Sequence, residues 1–386
     1  MLDWVYGHYW QNGSDVRYYG KISASPGNRT ARRSAERLCK PQPEIVVATE
    51  QQSNPEAPWG PWEGPLPTLG DVFRARKVIA RHLPPTPLLH AEKLSERVGV
   101  KTYVKCENLQ PIGAFKVRGG IYLISRLPEE QRARGVVGAS TGNHGQSIAY
   151  AAREFGVRAT IFVPEVANEL KCASMERLGA TVVRQRRDFD ESLDAARDFA
   201  ASEGAHFIHS ADEPDLIAGV ATATLEMLEE VPDLDAIFVP IGGGSGLCGA
   251  CLVGKSLNPE ITVIGVQSES SPAVYESWRD RELKMLDRNE TFAEGIATRR
   301  AFALPAAMLW DVVDEIMLVS DADLRRAILT LLETTSMLAE GAGAASLAGL
   351  YQRRHDFAGK KVGIVLSGGN LTLESLREAL TKERAW

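Results

Sequence analysis

The stretch AIFVPIGGGSG, Ala236 to Gly246, decides the fold class. Its first five residues present apolar or small side chains to both faces of an extended chain, which suits a strand in a parallel sheet covered by helices on both sides. The glycines that follow permit a tight turn, and the residues after Ser245 have helical spacing. A helix that opens directly from a strand has first-turn N–H groups without internal partners and a dipole that favours negative charge there. The loop has neither the GxGxxG register nor the P-loop lysine, so by itself it reads equally as a tight strand–helix joint.

Working outward, the same alternation recurs. KTYVKCE, GVVGAS, ATIFVP, TVVRQ, HFIHS, TVIGVQ and KVGIVLSGG read as strands, several of them continuous Val/Ile/Phe runs. GQSIAYAAREFG, NELKCASMERLG, FDESLDAARDFAASEG and DLIAGVATATLEMLEEV read as helices between them. TLGDVFRARKVIARHL has helical spacing behind a threonine, Thr68, placed to cap it, and PPTPLL breaks it. Strand then helix, repeated, is the pattern of an α/β protein, in which ligands sit beyond the carboxyl ends of strands.

The 386 residues, 44% hydrophobic and 24% charged, can bury a large core. A formal net charge of -6 provides no electrostatic reason for nucleic-acid binding, and no apolar run reaches membrane-span length. Small molecules are the expected partners. Five cysteines make no even disulfide framework, and the pair Cys248 and Cys251 lacks a second pair or histidines for zinc, so packing thiols in a cytoplasmic protein are expected. Residues 1–65, with Trp4, Trp10, Trp59 and Trp62 and scattered prolines, show no sustained period and read as a poorly ordered or docked arm.

Three further loops carry chemistry. NLQPIGAFKVRGG, Asn108 to Gly120, places Lys116 between Phe115 and a Val-Arg pair in a glycine-flanked turn. STGNHG, Ser140 to Gly145, opens a helix with small hydroxyls, an amide and an imidazole; its plainer reading is an N-cap at Ser140 or Thr141. LSGGN, Leu366 to Asn370, follows the last apolar strand. A singular lysine, two anion-binding helix starts and a strand-end serine are what a phosphorylated aldehyde cofactor requires.

From about Thr68 to Leu373 these motifs, in this order, resemble the threonine/serine dehydratase and serine racemase family of pyridoxal-phosphate enzymes, which have the tryptophan-synthase beta-like fold. The resemblance implies two α/β domains with mainly parallel sheets covered by helices: a large one of residues 66–137 and 213–386, and a small one of 138–212 inserted into it. AFKVRG corresponds to the family's SFKxRG, which makes Lys116 the Schiff-base lysine and Phe115 its neighbour beside the cofactor. Ser140, Thr141, Gly142, Asn143 and His144 correspond to the substrate-carboxylate loop, with Asn143 bonding the cofactor. Gly242, Gly243, Gly244, Ser245 and Gly246 correspond to the phosphate loop, Ser245 replacing a glycine. Ser367 matches the serine at the pyridine nitrogen, and Glu340 in AEGAGA an active-site acid.

The implied activity is an ammonia-lyase that eliminates water from threonine, serine or a related β-hydroxy amino acid. Serine racemase, β-replacement, and hydroxyaspartate- or phenylserine-type dehydratases are the alternatives, and a non-catalytic amino-acid-binding relative the distant one. Racemases carry a second serine where this chain has Thr141, whose extra methyl stiffens χ1. Gln267 stands where many relatives begin a divalent-cation site with an acid, so no metal is expected. AGVAT, Ala218 to Thr222, replaces the family's AGQGT and suggests a drift in substrate preference. With 16 residues after Asn370, no appended regulatory domain is expected, and relatives are usually homodimers.

Overall fold

The computed structural model describes residues 4–11, 14–21, 61–185 and 189–386. The chain divides into two units, 1–56 and 57–386. In the first, β1 (Trp4–Gln11) pairs antiparallel with β2 (Ser14–Lys21), Gln11 opposite Ser14. Neither strand is legible from side-chain alternation. The rest of the expected arm before residue 61 lies outside the described residues.

The second unit carries β3 (Leu88–His90), β4 (Lys101–Cys106), β5 (Val136–Ala139), β6 (Ala159–Val163), β7 (Thr181–Arg184), β8 (His206–Phe207), β9 (Ala236–Pro240), β10 (Thr262–Ser268), β11 (Glu315–Val319) and β12 (Lys361–Leu366). They form a six-stranded sheet in the order β11-β10-β9-β12-β4-β3 and a four-stranded sheet in the order β7-β6-β5-β8. All pairings in both sheets are parallel except that of β3 with β4. As the continuous apolar runs require, β9 feeds two cores: Ala236 and Phe238 pack into one, Ile237 and Val239 into the other. β5 does the same in the smaller sheet, with Val136 on one side and Val137 and Ala139 on the other. No helix of the described residues is long and apolar enough to cross a membrane.

Every strand read from the sequence is present. β3 and β11 are not in that reading: β3 has three residues, too few for a period, and the apolar run of β11 is no more strand-like than a buried helix segment. Thr68 caps the helix Leu69–Ile79 in a full capping box with Asp71.

Two glycine contacts bring the helices around the lysine turn unusually close. A Cβ on Gly219 of the helix Pro214–Glu230 would lie 2.6 Å from the Arg118 carbonyl oxygen. A Cβ on Gly120 would lie 2.8 Å from the Ser147 carbonyl oxygen on the helix Asn143–Glu154. The helix Val117–Arg126 is thereby clasped between a helix of the larger sheet's face and the first helix of the smaller sheet.

At that crossing lies a buried ionic cluster. Arg118, with no exposed surface, grips Glu107 through Nε (2.7 Å) and Nη2 (2.8 Å), and Glu226 through Nη1 (2.7 Å) and Nη2 (2.8 Å). Its Nη1 also donates to Thr222 Oγ1, 3.1 Å, so the AGVAT segment bears on Arg118 and the lysine helix through both Gly219 and Thr222. Lys105 Nζ donates to Glu226 (2.5 Å) and to the Thr86 carbonyl (2.7 Å), so two cations balance two carboxylates. Burial alone would raise the Glu107 pKa, but the Arg118 charge and hydrogen bonds outweigh it and hold the carboxyl below its ordinary range.

Arg118→Met should therefore strand two carboxylates against one lysine and cost about 3–5 kcal/mol of stability. Arg118→Lys, which cannot form the double fork, should recover only part of that loss. Equilibrium urea unfolding measures both; an unchanged midpoint in Arg118→Met would show that the cluster contributes nothing.

Candidate active site

The lysine turn is stitched to the loop beyond β12: Phe115 N donates to the Ser367 carbonyl (3.0 Å), and Ala114 pairs with Gly368. Ser147 Oγ donates to the Lys116 carbonyl, 2.7 Å, tying in the helix after STGNHG. With its backbone held from two sides, Lys116 sends Nζ to Ser245 Oγ (2.9 Å) and to the Ser210 carbonyl (3.3 Å), 5.5 Å from the centre of the Phe115 ring. Burial pulls its pKa from 10.5 down to about 8, because the charged ammonium loses more from desolvation than the amine.

The glycine loop opens the helix Ser245–Leu257 with Gly244 at the N-cap, φ 100°, and no side chain satisfies its first N–H groups. Side chains have no room here. A Cβ on Gly242 would collide with the Gly295 carbonyl oxygen, one on Gly243 would lie 3.1 Å from Ala211 Cβ, and one on Gly244 2.8 Å from Pro305 Cβ. Bare backbone donors at a helix start, beside a partly buried lysine, fit the phosphate and aldehyde of the expected cofactor. Phe115, Gly246 and Ser367 share one cleft with Val220, Ala223 and Thr224.

STGNHG departs from its plainer reading. The N-cap of the helix Asn143–Glu154 is Gly142, and neither Ser140 nor Thr141 caps it. Ser140 Oγ instead accepts from Gly142 N, 3.2 Å, shaping the turn. No side chain caps the helix start, so its first N–H groups have no side-chain acceptor. Asn143 is held at both ends of its amide: Nδ2 donates to Glu340 Oε1 (2.6 Å), and Oδ1 accepts from Asn370 Nδ2 (2.7 Å), which also donates to the Ile112 carbonyl (2.9 Å). Burial raises the Glu340 pKa, with the Asn143 bond opposing. Four separate segments thus meet in one amide–carboxyl chain.

His144 is buried with both ring nitrogens lacking a hydrogen-bond partner; the Ile208 backbone lies near it without hydrogen-bonding geometry. Burial, then the nearby Lys116 and His209, push its pKa from 6.5 down to about 3, so it is neutral. Gln267 is buried too, and its Oε1 accepts from Tyr275 N (2.9 Å) in the first turn of the helix Ala273–Asp280.

Several site residues escape the motif reading. Asn370 ends the LSGGN loop, and no motif gives it a role. His209 to Ala211 follow β8, and the strand-end rule alone would have flagged them. Gly295 lies against both Gly242 and Glu340, while neighbouring Glu294 pairs with Lys171. These contacts join segments far apart in the chain, and no local pattern marks them.

The family described as pyridoxal-phosphate dependent enzyme matches residues 79–368. An L-threonine ammonia-lyase of Thermotoga maritima is 40% identical over 315 residues, 82% of this chain and 78% of the relative. An L-threo-3-hydroxyaspartate ammonia-lyase of Saccharomyces cerevisiae is 38% identical over 309 residues, 80% of this chain and 95% of the relative. Among solved structures, the serine racemase of Dictyostelium discoideum superposes with a TM-score of 0.75 at 34% identity, covering 80% of this chain and 99% of that one.

The buried histidines set an expectation for acid stability. A histidine whose folded pKa is depressed binds its proton in the unfolded chain first, so its contribution is present above 6.5 and is lost as pH falls towards 3. Glu213 acts oppositely: burial raises it from 4.5 to about 7, so its contribution is lost as pH rises between those values. Below pH 4.5 the histidine losses stand unopposed by Glu213. His144→Leu should therefore lose less stability than the wild type between pH 7.5 and 4, by on the order of 1–3 kcal/mol, in denaturant unfolding at each pH. Parallel curves for the two proteins would refute a buried neutral His144.

Proposed function

We propose that this chain, which belongs to the pyridoxal-phosphate-dependent enzyme family, is an ammonia-lyase that converts L-threonine or L-serine to a 2-oxo acid and ammonia. The observation that carries the proposal is Lys116 Nζ, desolvated and held by Ser245 and the Ser210 carbonyl beside the glycine loop.

Lys116 is the residue that would hold the cofactor's aldehyde carbon. Gly242, Gly243, Gly244, Ser245 and Gly246 would cradle its phosphate, Phe115 would flank its ring, Ser367 would meet its ring nitrogen, and Asn143 its hydroxyl. When bound, pyridoxal phosphate supplies the electron sink that accepts the bond pair released at the substrate Cα.

The chain's own residues do the rest. Backbone N–H groups at the start of the helix Asn143–Glu154, with Ser140 and Thr141, bind the substrate carboxylate, and Gly142 gives the loop its close approach. The neutral His144 behind that loop places no competing charge there. Lys116, with a pKa near 8, has an appreciable unprotonated fraction near neutral pH and can take the Cα proton as general base. Ser367 presents a neutral hydroxyl rather than a carboxylate, so the ring nitrogen is not forced to carry a proton, a setting that favours loss of the β-hydroxyl over transamination. Glu340, with its raised pKa and its bond to Asn143, orients that amide. Loss of water across Cα and Cβ, then hydrolysis, gives the 2-oxo acid and ammonia.

The two sheets are compatible with a large domain of residues 66–137 and 213–386 and a smaller inserted one of 138–212, except that β5 (Val136–Ala139) belongs to the smaller sheet, so the insertion begins no later than Val136. A homodimer is proposed on the family resemblance, and a cytoplasmic location on the cysteine pattern. Hydroxyaspartate lyase activity is the second reading, favoured by the similarity to the yeast protein.

The test is 2-oxo acid release by the purified protein from L-threonine, L-serine, L-threo-3-hydroxyaspartate and phenylserine, with chiral analysis of the residual amino acid. The wild type should release product from threonine or serine, and Lys116→Ala should fall by at least about a thousandfold, as for loss of a covalent and general-base group. Inverted amino acid without oxo acid would replace the lyase reading with racemisation.

A further inference from the structure

The loop after β8 is folded around one imidazole. His209 Nδ1 accepts from the backbone N–H of Ala211 (3.1 Å) and of Asp212 (2.8 Å), and Glu213 Oε1 accepts from His209 N, 3.2 Å. Asp212 Oδ1 in turn accepts from Leu304 N, 3.0 Å, anchoring the loop to the helix Ala303–Leu309. The ring stands edge-on to Phe302, 5.2 Å between centres, and Phe302 and Ala211 both abut Gly243. The loop's fold turns the Ser210 carbonyl onto Lys116 Nζ.

Asp212 Oδ2 lies 3.7 Å from Nδ1, a distance that suits an ion pair. The ring is nonetheless neutral, because a nitrogen that accepts two N–H bonds carries no proton of its own. Burial, with Arg197, Arg300 and Lys116 nearby, favours the same state.

A neutral lysine amine has two N–H bonds and one lone pair. With one N–H on the Ser210 carbonyl and the other on Ser245 Oγ, the direction of the lone pair is set. We propose that His209 is a positioning residue: by accepting both loop N–H groups it aims the Ser210 carbonyl, and through it the Lys116 lone pair. The inference rests on the reading of Lys116 as the cofactor lysine.

Asparagine is the informative substitution, because its Oδ1 stands where Nδ1 stood and accepts from N–H groups two and three residues on. In the holoenzyme, His209→Ala should raise the pyridoxal phosphate Kd about tenfold and lower kcat at least about tenfold, with KM changed less than about threefold; His209→Asn should restore both. Wild-type values in His209→Ala, or an Asn variant as poor as the Ala variant, would overturn the proposal. Should His209→Ala fail to fold, hydrogen exchange of the Ala211 and Asp212 amides in the wild-type chain decides: slowed exchange supports the double acceptor, and free-peptide rates reject it. Borohydride reduction of the wild-type holoenzyme with peptide mass analysis separates the two readings. A pyridoxyl tag on another lysine sinks the role of Lys116, whereas a tag on Lys116 together with wild-type Kd and kcat in His209→Ala sinks only that of His209.

Discussion

The double fork of Arg118 on Glu107 and Glu226 is the contact on which the site's geometry depends. Each carboxylate comes from a different element, one just beyond β4 and one on the helix Pro214–Glu230, while Arg118 belongs to the helix that begins at the lysine turn. Charges buried this deeply tolerate no partial pairing, because each unmatched ion would have to be desolvated without compensation. The arrangement therefore admits one register. Lys116, two residues before Arg118, inherits its position from that register, and the neighbouring glycines Gly219 and Gly120 let the flanking helices come near enough to enclose it.

Around the lysine, burial acts on several titratable groups in one direction. It lowers Lys116, His144 and His209 and raises Glu340 and Glu213, so each leans towards its neutral form. Burial thus weakens the side-chain charges around the lysine, and the first N–H groups of two helices, at Gly142 and Gly244, have no side-chain cap. That arrangement is what the proposed phosphate and carboxylate sites, with Lys116 as the proton-moving group, call for. The Arg118 cluster keeps its own charges balanced beside this region, so it holds the scaffold without imposing net charge.

Much of this was legible in the residues. The both-faces-apolar strands specified parallel sheets, and the glycine loop, the lysine turn, STGNHG and LSGGN all fall beyond carboxyl ends of strands. The helix-capping reading of Ser140 and Thr141 did not hold, because Gly142 takes the N-cap and Ser140 closes a turn instead. The roles of Asn370 and Gly295 were illegible, since each acts on a segment far away in the chain, and the bonds of His209, though local, gave no sign that the loop they shape meets Lys116.

The sequence by itself determined most of the alternation of strands and helices and the glycine-rich turns that open two helices, because these rest on periodicity and glycine within a few residues, while Lys116 was singled out by the likeness of AFKVRG to a family motif. Only the tertiary structure decided that Asn143, Glu340 and Asn370 share one hydrogen-bonded chain, that a histidine folds the loop presenting Ser210, and that Lys116 is desolvated enough to titrate near 8. The physical reason is that desolvation and hydrogen-bond partners depend on which surfaces are brought together. Packing settles that between residues some two hundred positions apart, and no local pattern records it.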